Sequence, residues 1–362
     1  MCLNTLGSNN MAYIDDIRNA AGANLPWEKL SGKNILVTGA TGLIGSCVVD
    51  VLMNHKGQDY HVYASGRNEE RVRQHFSEYR KSPYFHFLKY DVTEPLKSDI
   101  DFHFIIAAAS GANPVLYSTD PVGIMKGNFC GVDNLLAYGV KHNLEKFVYV
   151  SSGDVYGEGD GREFTEDYSG YVNPLNLRSC YTSAKRATET LCVSYANQYG
   201  IDVSIARPCH TYGPYFTESD TRVYAQFIRN VLHGEDIVMK STGEQFRSWC
   251  YVVDCANGIM HVLLKGANGE AYNIADESSN VTIKELAEMI AEIGEKRVII
   301  DLPSDVEKRG FNVVSKSVFS TSLLKGLGWN IDETFHTKLF HTIAEASRIN
   351  VEEKMNNTAS FE

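Results

Sequence analysis

The stretch NILVTGATGLIGS, residues 34–46, decides the fold class. It opens with a short apolar run that predicts a buried strand, and it closes with the apolar pattern of a helix. Three glycines lie between the two elements: Gly39, Gly42 and Gly45. Glycines at such a turn let backbone N–H groups approach a pyrophosphate at the positive end of the helix dipole. The stretch therefore predicts a dinucleotide site that also includes the first helical residues, Leu43 and Ile44.

From residue 34 onward, short apolar runs alternate with amphipathic segments of helical length, which predicts βαβ units and a parallel sheet. The expected fold is α/β, a doubly wound parallel sheet of the Rossmann type with a smaller C-terminal α/β substrate lobe. The predicted division is an N-terminal extension, the dinucleotide domain, the substrate lobe with crossings back to the first domain, and a tail: residues 1–32, 33–212, 213–345 and 346–362. The ends of the chain are expected to be loosely organised.

Residues at the carboxyl ends of the next strands complete the predicted cofactor site, since ligands of open α/β sheets bind there. The second strand ends without the acid that would bind a ribose hydroxyl, and Gly66 and Arg67 stand in its place. An arginine there favours a 2′-phosphate, so the sequence leaves NAD and NADP both open. Further residues expected against the cofactor end the third and fourth strands: Asp91, Val92, Ala107, Ala108 and Ala109.

The segment YTSAK places Tyr181 and Lys185 four residues apart at the start of a helix, so they share one face. An ammonium beside a phenol favours the phenolate and draws the pKa of the tyrosine toward neutrality. An upstream strand ends in VSSGDVYG, which places Ser152 where its hydroxyl can hold a substrate oxygen. These three residues predict hydride chemistry at a hydroxyl carbon.

The motifs TGATGLIGS, YVSSGDVYG, YTSAK, RPCHTYGP, GEQFRSW and LKGLGW together resemble the extended short-chain dehydrogenase/reductases that act on nucleotide sugars. The resemblance covers about residues 33 to 335. It implies that Ser152, Tyr181 and Lys185 are the catalytic triad and that Pro208 lies at the cofactor. It also implies a set of arginines for the diphosphate of a sugar nucleotide: Arg222, Arg247 and Arg309.

Within this family, YVNPLNLRSCYTSAKRATETL, SDTRVYAQFI and AASGANPVLYSTDP look most like UDP-glucuronate decarboxylases, also called UDP-xylose synthases. That resemblance places Arg178 at the sugar carboxylate. Decarboxylases usually have Thr-Ser-Glu before VYG, whereas this chain has Ser152, Gly153 and Asp154, and Asp154 is the predicted acid/base. His210 replaces the usual Asn of a substrate contact.

The sequence leaves three other functions open. A UDP-sugar 4-epimerase, or another C4/C5 epimerase, needs only the triad and tolerates Gly153. A 4,6-dehydratase is disfavoured because Gly153 cannot supply the acid for loss of water. A non-catalytic dinucleotide sensor is disfavoured because the tyrosine, the lysine and the serine are all retained.

Composition limits the kinds of binding partner and the cellular compartment that we expect. The net charge of −11 argues against nucleic-acid binding. Eight scattered cysteines, with no pair or cluster at zinc spacing, predict reduced thiols, no metal site and a cytoplasmic protein. No apolar run is long enough to span a membrane, so no membrane association is expected. The family resemblance implies a homodimer through helices near residues 113–142 and 181–199, with Leu191 and Tyr195 consistent with a buried stripe.

Overall fold

The structure is a computed structural model that describes residues 12–217, 220–302 and 316–359. The strands are β1 (Asn34–Thr38), β2 (His61–Gly66), β3 (Phe85–Lys89), β4 (Phe104–Ala107), β5 (Lys146–Val150), β6 (Val203–Pro208), β7 (His210–Tyr212), β8 (Ile237–Met239), β9 (Phe246–Tyr251), β10 (Ala271–Ile274), β11 (Asp276–Thr282), β12 (Val298–Ile300) and β13 (Lys316–Ser317). The helices are α1 (Ala12–Ala21), α2 (Leu43–Met53), α3 (Glu69–His75), α4 (Leu116–Thr119), α5 (Pro121–Gly139), α6 (Ser179–Tyr199), α7 (Val223–Leu232), α8 (Val252–Lys265), α9 (Ile283–Ile293), α10 (Ser322–Gly326) and α11 (Phe335–Ala359).

A seven-stranded parallel sheet forms the centre of the molecule, in the order β10-β6-β5-β4-β1-β2-β3. Its inner strands are apolar along their whole length because helices cover both faces. Ile35 and Val37 of β1 face a core shared with α2 and α8, whereas Leu36 faces a second core beneath α5. The predicted doubly wound α/β fold is confirmed.

The chain leaves this sheet at one place that also builds the site. Strand β6 ends at Pro208 and β7 begins at His210, so a single residue separates the central sheet from the second one. In the second sheet, β9 pairs with β11, β13 and β7. A separate parallel pair joins β8 and β12. Helix α8 and strand β10 then return the chain to the central sheet, as the predicted crossings require.

Both ends of the described chain are more ordered than the sequence suggested. Helix α1 packs against α2, α8 and α11. Its apolar residues, such as Ile17, are buried, and Trp27 follows them into the core. Helix α11 extends to Ala359, with Ala346 buried. The expectation of a loosely organised segment is therefore wrong for residues 12–32, because the apolar face of α1 packs against α2, α8 and α11. The predicted domain boundaries themselves stay a prediction.

Candidate active site

The turn between β1 and α2 has the geometry of a phosphate cradle. Gly39 has a φ of +68°, and a Cβ on it would lie 2.7 Å from the carbonyl oxygen of Ala108. A Cβ on Gly45 would lie 2.3 Å from the carbonyl oxygen of Gly39. Gly42 is the residue before helix α2, whose first residues are Leu43 and Ile44. Only glycine fits these close approaches, and free N–H groups of the first helical turn then face the space above the sheet.

The other predicted cofactor residues lie along the same carboxyl edge of the sheet. Ala107 ends β4, and the loop after it carries Ala108 and Ala109, whose N–H donates to the Thr38 hydroxyl over 3.4 Å. Asp91 and Val92 follow β3 by a few residues. The Asp91 carboxylate accepts the backbone N–H and the hydroxyl of Thr93, and these bonds lower its pKa.

Arg67 extends into solvent just beyond β2. Its side chain is 81% exposed, and its guanidinium lies 3.8 Å from the Asp91 carboxylate. This contact partly neutralises the positive charge that a 2′-phosphate would need.

Ser152, Tyr181 and Lys185 converge at the ends of β5 and α6. Tyr181 is 5% exposed and Lys185 1%. The Lys185 ammonium donates to the carbonyl of Val150 over 2.9 Å and lies 5.6 Å from the centre of the Tyr181 ring. The Ser152 and Ser110 hydroxyls lie close enough to the Tyr181 hydroxyl to act on it and lower its pKa. The structure therefore brings the three predicted residues together.

The prediction that Lys185 draws the pKa of Tyr181 toward neutrality is wrong. Burial and the negative charge of Asp154 raise the pKa of Tyr181, and the two serine hydroxyls only partly oppose them. Burial lowers the pKa of Lys185 to about 7, because an ammonium loses its hydration there. The lysine is thus only partly charged near neutrality and favours the phenolate less than an exposed lysine would.

Asp154 stands beside the triad between two arginines. Asp154 is exposed to solvent on one side, yet the surrounding protein desolvates the carboxyl and raises its pKa. The positive charges of Arg178 and Arg247 act on this carboxyl in the opposite direction. Arg178 is exposed at the start of α6, and Arg247 comes from β9 of the second sheet. A carboxylate and two guanidinium groups therefore line the space next to Tyr181.

His210 and Arg247 form one unit. The Arg247 guanidinium donates to Nε2 of His210 over 3.1 Å, and the imidazole packs 5.4 Å from the Trp249 ring. Burial and this neighbouring arginine lower the pKa of His210 to about 3, so the imidazole is neutral at physiological pH. His210 thus acts as an acceptor that orients Arg247.

The remaining predicted arginines differ in what the structure shows. Arg222 binds both oxygens of Asp220 and the Tyr224 hydroxyl, so its charge is already paired within the protein. Arg309 lies outside the described residues. Pro208 ends β6, and its carbonyl oxygen lies 3.5 Å from the position of a Cβ on Gly153.

Three residues near the reacting groups were not predicted. Ser110 lies near the Tyr181 hydroxyl and acts to lower its pKa, and the Tyr117 ring stacks on the Tyr181 ring with centres 5.0 Å apart. Phe319 packs against Gly153. Ser110 and Tyr117 lie in the loop and short helix after β4, and their position at the carboxyl edge of the sheet is the signal that could have found them. Nothing in the local sequence marks Phe319.

Comparisons with known proteins agree with this geometry. The NAD dependent epimerase/dehydratase family matches residues 35–275. A UDP-glucuronic acid decarboxylase of Arabidopsis thaliana is 35% identical over 286 residues, covering 77% of this chain and 80% of that protein.

Solved structures of similar fold include a UDP-glucose 4-epimerase of Thermotoga maritima and a dTDP-glucose 4,6-dehydratase of Bacillus anthracis. Each has a TM-score of 0.73 at 24% identity and covers 88% of this chain, with 99% of the epimerase chain and 98% of the dehydratase chain covered. In the part of the chain that the structure describes, the helices are too short or too polar to cross a bilayer.

Proposed function

Because the chain belongs to the NAD dependent epimerase/dehydratase family, we propose that it is a UDP-glucuronate decarboxylase that oxidises the sugar transiently at C4. One observation carries the choice of reaction. The positive charges of Arg178 and Arg247 both reach the Asp154 carboxyl, which lies beside Tyr181. Two guanidinium groups suit a substrate that brings a carboxylate of its own. The similarity to decarboxylases of 31–35% identity supports the same assignment.

NAD fits the cradle at the start of α2, where the contacts of Gly39 and Gly45 leave no space for a Cβ. Bound there, NAD would supply a reversible hydride acceptor for the sugar. We assign its pyrophosphate to the N–H groups of the first turn of α2 and its adenosine side to the edge near Asp91. The pairing of Arg67 with Asp91 favours NAD over NADP.

The chain's own groups then move the protons. We propose that Tyr181 acts in its phenolate form, which the positive charges of Lys185 and of bound NAD would favour over the buried phenol, and that it takes the proton of the C4 hydroxyl while Ser152 holds the same oxygen. The resulting β-keto acid releases carbon dioxide because the ketone accepts the electrons of the broken bond. Asp154, whose raised pKa keeps it protonated to higher pH than an ordinary aspartic acid, is placed to return a proton at C5. Tyr181 finally protonates the C4 oxygen as the hydride returns.

The reaction is tested by incubating the protein and NAD with UDP-glucuronate, UDP-glucose and UDP-N-acetylglucosamine, followed by mass spectrometry. We expect loss of carbon dioxide from UDP-glucuronate only. Loss of water from UDP-glucose would indicate a dehydratase, and products of unchanged mass, resolved by NMR, would indicate an epimerase. Either outcome would refute the decarboxylase assignment.

Two variants separate the proposed roles. Tyr181→Phe should lower turnover by about 10²–10⁴-fold, the usual worth of a general acid/base, with NAD binding retained. Asp154→Asn should still oxidise C4 and should accumulate reduced cofactor, seen by its absorbance, because only the return of the proton is impaired. Tyr63→Phe, a change on β2 away from the candidate active site, is the matched control. Full turnover in Tyr181→Phe would overturn the assignment of this residue.

We also propose that the protein is a homodimer. Val122, Met125 and Phe129 are 62%, 46% and 39% exposed on α5, which packs against α6. Their spacing places three apolar side chains on one outer face of the helix. Sedimentation should give a dimer for the natural chain and a monomer for Phe129→Glu. A natural chain that sediments as a monomer would contradict the proposal.

A further inference from the structure

The turn that follows β5 packs against the segment before α10, and the Phe319 ring fills the place where a side chain on Gly153 would lie. A Cβ on Gly153 would lie 2.4 Å from Cζ and 2.5 Å from Cε1 of the Phe319 ring. Carbon atoms that are not bonded to one another do not approach to such distances in packed proteins. Position 153 can therefore carry a side chain only if Phe319 moves.

Phe319 has no room to move. Its side chain is 1% exposed, and its ring lies 5.4 Å from the Phe164 ring and 5.7 Å from the Tyr156 ring. Its backbone N–H donates to the hydroxyl of Ser248 over 3.1 Å, and its chain forms a bridge with Phe164. A ring fixed on several sides in a close-packed core shifts only by disturbing its neighbours.

A hydrogen bond fixes the turn on both sides of Gly153, the residue without a side chain. The Ser152 hydroxyl accepts the backbone N–H of Asp154 over 3.1 Å, so Ser152 and Asp154 are fixed relative to each other across Gly153. Asp154 is exposed to solvent, whereas Phe319 lies on the other side of the turn and is buried in the core. Pressure on Gly153 from behind would therefore displace the two functional residues on either side of it.

We infer that Phe319 is a specificity-determining residue: by filling the space of a side chain at position 153, it restricts the turn to one titratable group, Asp154. This inference rests on the proposed function, in which Asp154 handles the proton at C5. A reaction that needs a second acid at position 153, such as loss of water, is thereby excluded. Phe319 is buried behind the turn and acts by positioning it.

The experiment is a double-mutant cycle of Gly153→Ser and Phe319→Ala, with Gly326→Ser as the matched control. A Cβ on Gly326 would meet nothing within 4 Å, and its φ is not positive, so this control should be neutral. Each variant is examined by thermal unfolding, by NAD binding and by kcat/KM with UDP-glucuronate. The fraction of keto-sugar that is released before the hydride returns to C4 is measured as well.

We expect Gly153→Ser alone to lower the melting temperature by several degrees and kcat/KM by about 100-fold, the effect of a misplacement of about 1 Å. It should also raise the released keto-sugar, which a purely structural defect would not change. In the Phe319→Ala background, the same serine should cost much less stability, and kcat/KM should recover about tenfold from the Gly153→Ser value. NAD binding should persist in all variants.

Equal losses from Gly153→Ser in both backgrounds, in stability and in activity, would overturn the inference. The double-mutant cycle measured by thermal unfolding needs no substrate. If the protein does not act on UDP-glucuronate, the proposed function fails, while the coupling of residues 153 and 319 is still measured by unfolding. Coupling in stability without any change in the fraction of keto-sugar would refute the specificity role and leave only a packing contact.

Discussion

Lys185 is a lysine almost entirely withdrawn from water, and this burial has a consequence for stability as well as for chemistry. Its pKa of about 7 lies below the usual 10.5 because the charged form is poorly solvated. In the unfolded chain the lysine is protonated up to about pH 10.5, so between the two pKa values the unfolded state binds more protons. The free energy of unfolding contributed by this group therefore rises with pH from about 7 to about 10.5.

We predict that Lys185→Met abolishes turnover and stabilises the protein. The variant removes the cost of a buried ammonium, so the gain should be about 1–4 kcal/mol near pH 6 and should shrink toward pH 10. Urea unfolding of both proteins across this pH range measures the difference. Lys240→Met, at a side chain 61% exposed, is the control and should change stability by less than about 0.5 kcal/mol at every pH. A Lys185→Met variant less stable than the natural protein at pH 6 would show that the hydrogen bond to Val150 outweighs burial.

Helix α6 is held in place by a buried ion pair one turn beyond Lys185. Glu189 accepts two bonds from the Arg207 guanidinium, over 3.0 Å and 2.7 Å. Their side chains are 11% and 13% exposed. Arg207 also donates to the hydroxyl of Tyr156, which in turn donates to the Asn273 side chain. The network ties α6 to β6 and β10, so it positions the helix that carries Tyr181.

Removing one partner of this pair should be much worse than removing both. Arg207→Met leaves Glu189 as an unpaired buried charge, and we expect a loss of about 3–5 kcal/mol in urea unfolding. The double variant Arg207→Met with Glu189→Met should recover most of that loss, because no charge then remains buried. Arg297→Met breaks an exposed pair with Asp236 and should cost about 0–1 kcal/mol. Equal losses from the two arginine variants would mean that burial does not set the worth of the Arg207 pair.

Helices, strands and contacts could be predicted from the sequence where the residues that determine them lie close together in the chain. Strand β1 and helix α2 were predicted because the apolar run and the glycine turn lie within 13 consecutive residues, 34–46. Tyr181 and Lys185 share a helix face, so their spacing alone placed them together. Phe319 was missed because its contact with Gly153 joins segments far apart in the chain. The pKa direction of Tyr181 was missed because desolvation depends on the whole surroundings of the ring.

Helix α1 was also missed, because its order depends on helices that are distant in the sequence. Its buried residues Tyr13, Ile17, Ala20 and Ala21 are spaced as on one helical face. The polar residues between them suggested a loosely organised segment, and only the surface offered by α2, α8 and α11 makes the apolar face decisive.

The two ends of the described chain meet in a polar contact between α1 and α11. The Asp16 carboxylate on α1 accepts from the hydroxyl of Tyr251 over 2.9 Å and from Nδ1 of His341 on α11 over 2.8 Å. Glu333 lies 3.8 Å from the same imidazole nitrogen. These groups could also approach a metal ion, but the Asp16 oxygen is already occupied by two donors. We therefore interpret the cluster as an ion pair that joins α1 to α11.

This ion pair should make the attachment of the chain ends dependent on pH. The hydrogen bond to Asp16 and the charge of Glu333 raise the pKa of His341 above its usual 6.5, against burial and the positive charge of Lys338. A raised pKa means that the folded state holds the proton more tightly. The stabilisation is therefore fully present below pH 6.5 and is lost as the pH rises through the folded pKa.

We predict that His341→Gln destabilises the protein by about 1–3 kcal/mol near pH 6 and by less near pH 9, because only the charged imidazole makes the charge-assisted bond. Amide hydrogen exchange should show earlier opening of α1 and α11 in the variant, whereas exchange in the central sheet should change little. His336→Gln, at an exposed histidine of the same helix, is the matched control and should behave as the natural protein does. If His341→Gln costs the same at both pH values, the contact is a neutral hydrogen bond, and the attachment of the two ends does not respond to protons.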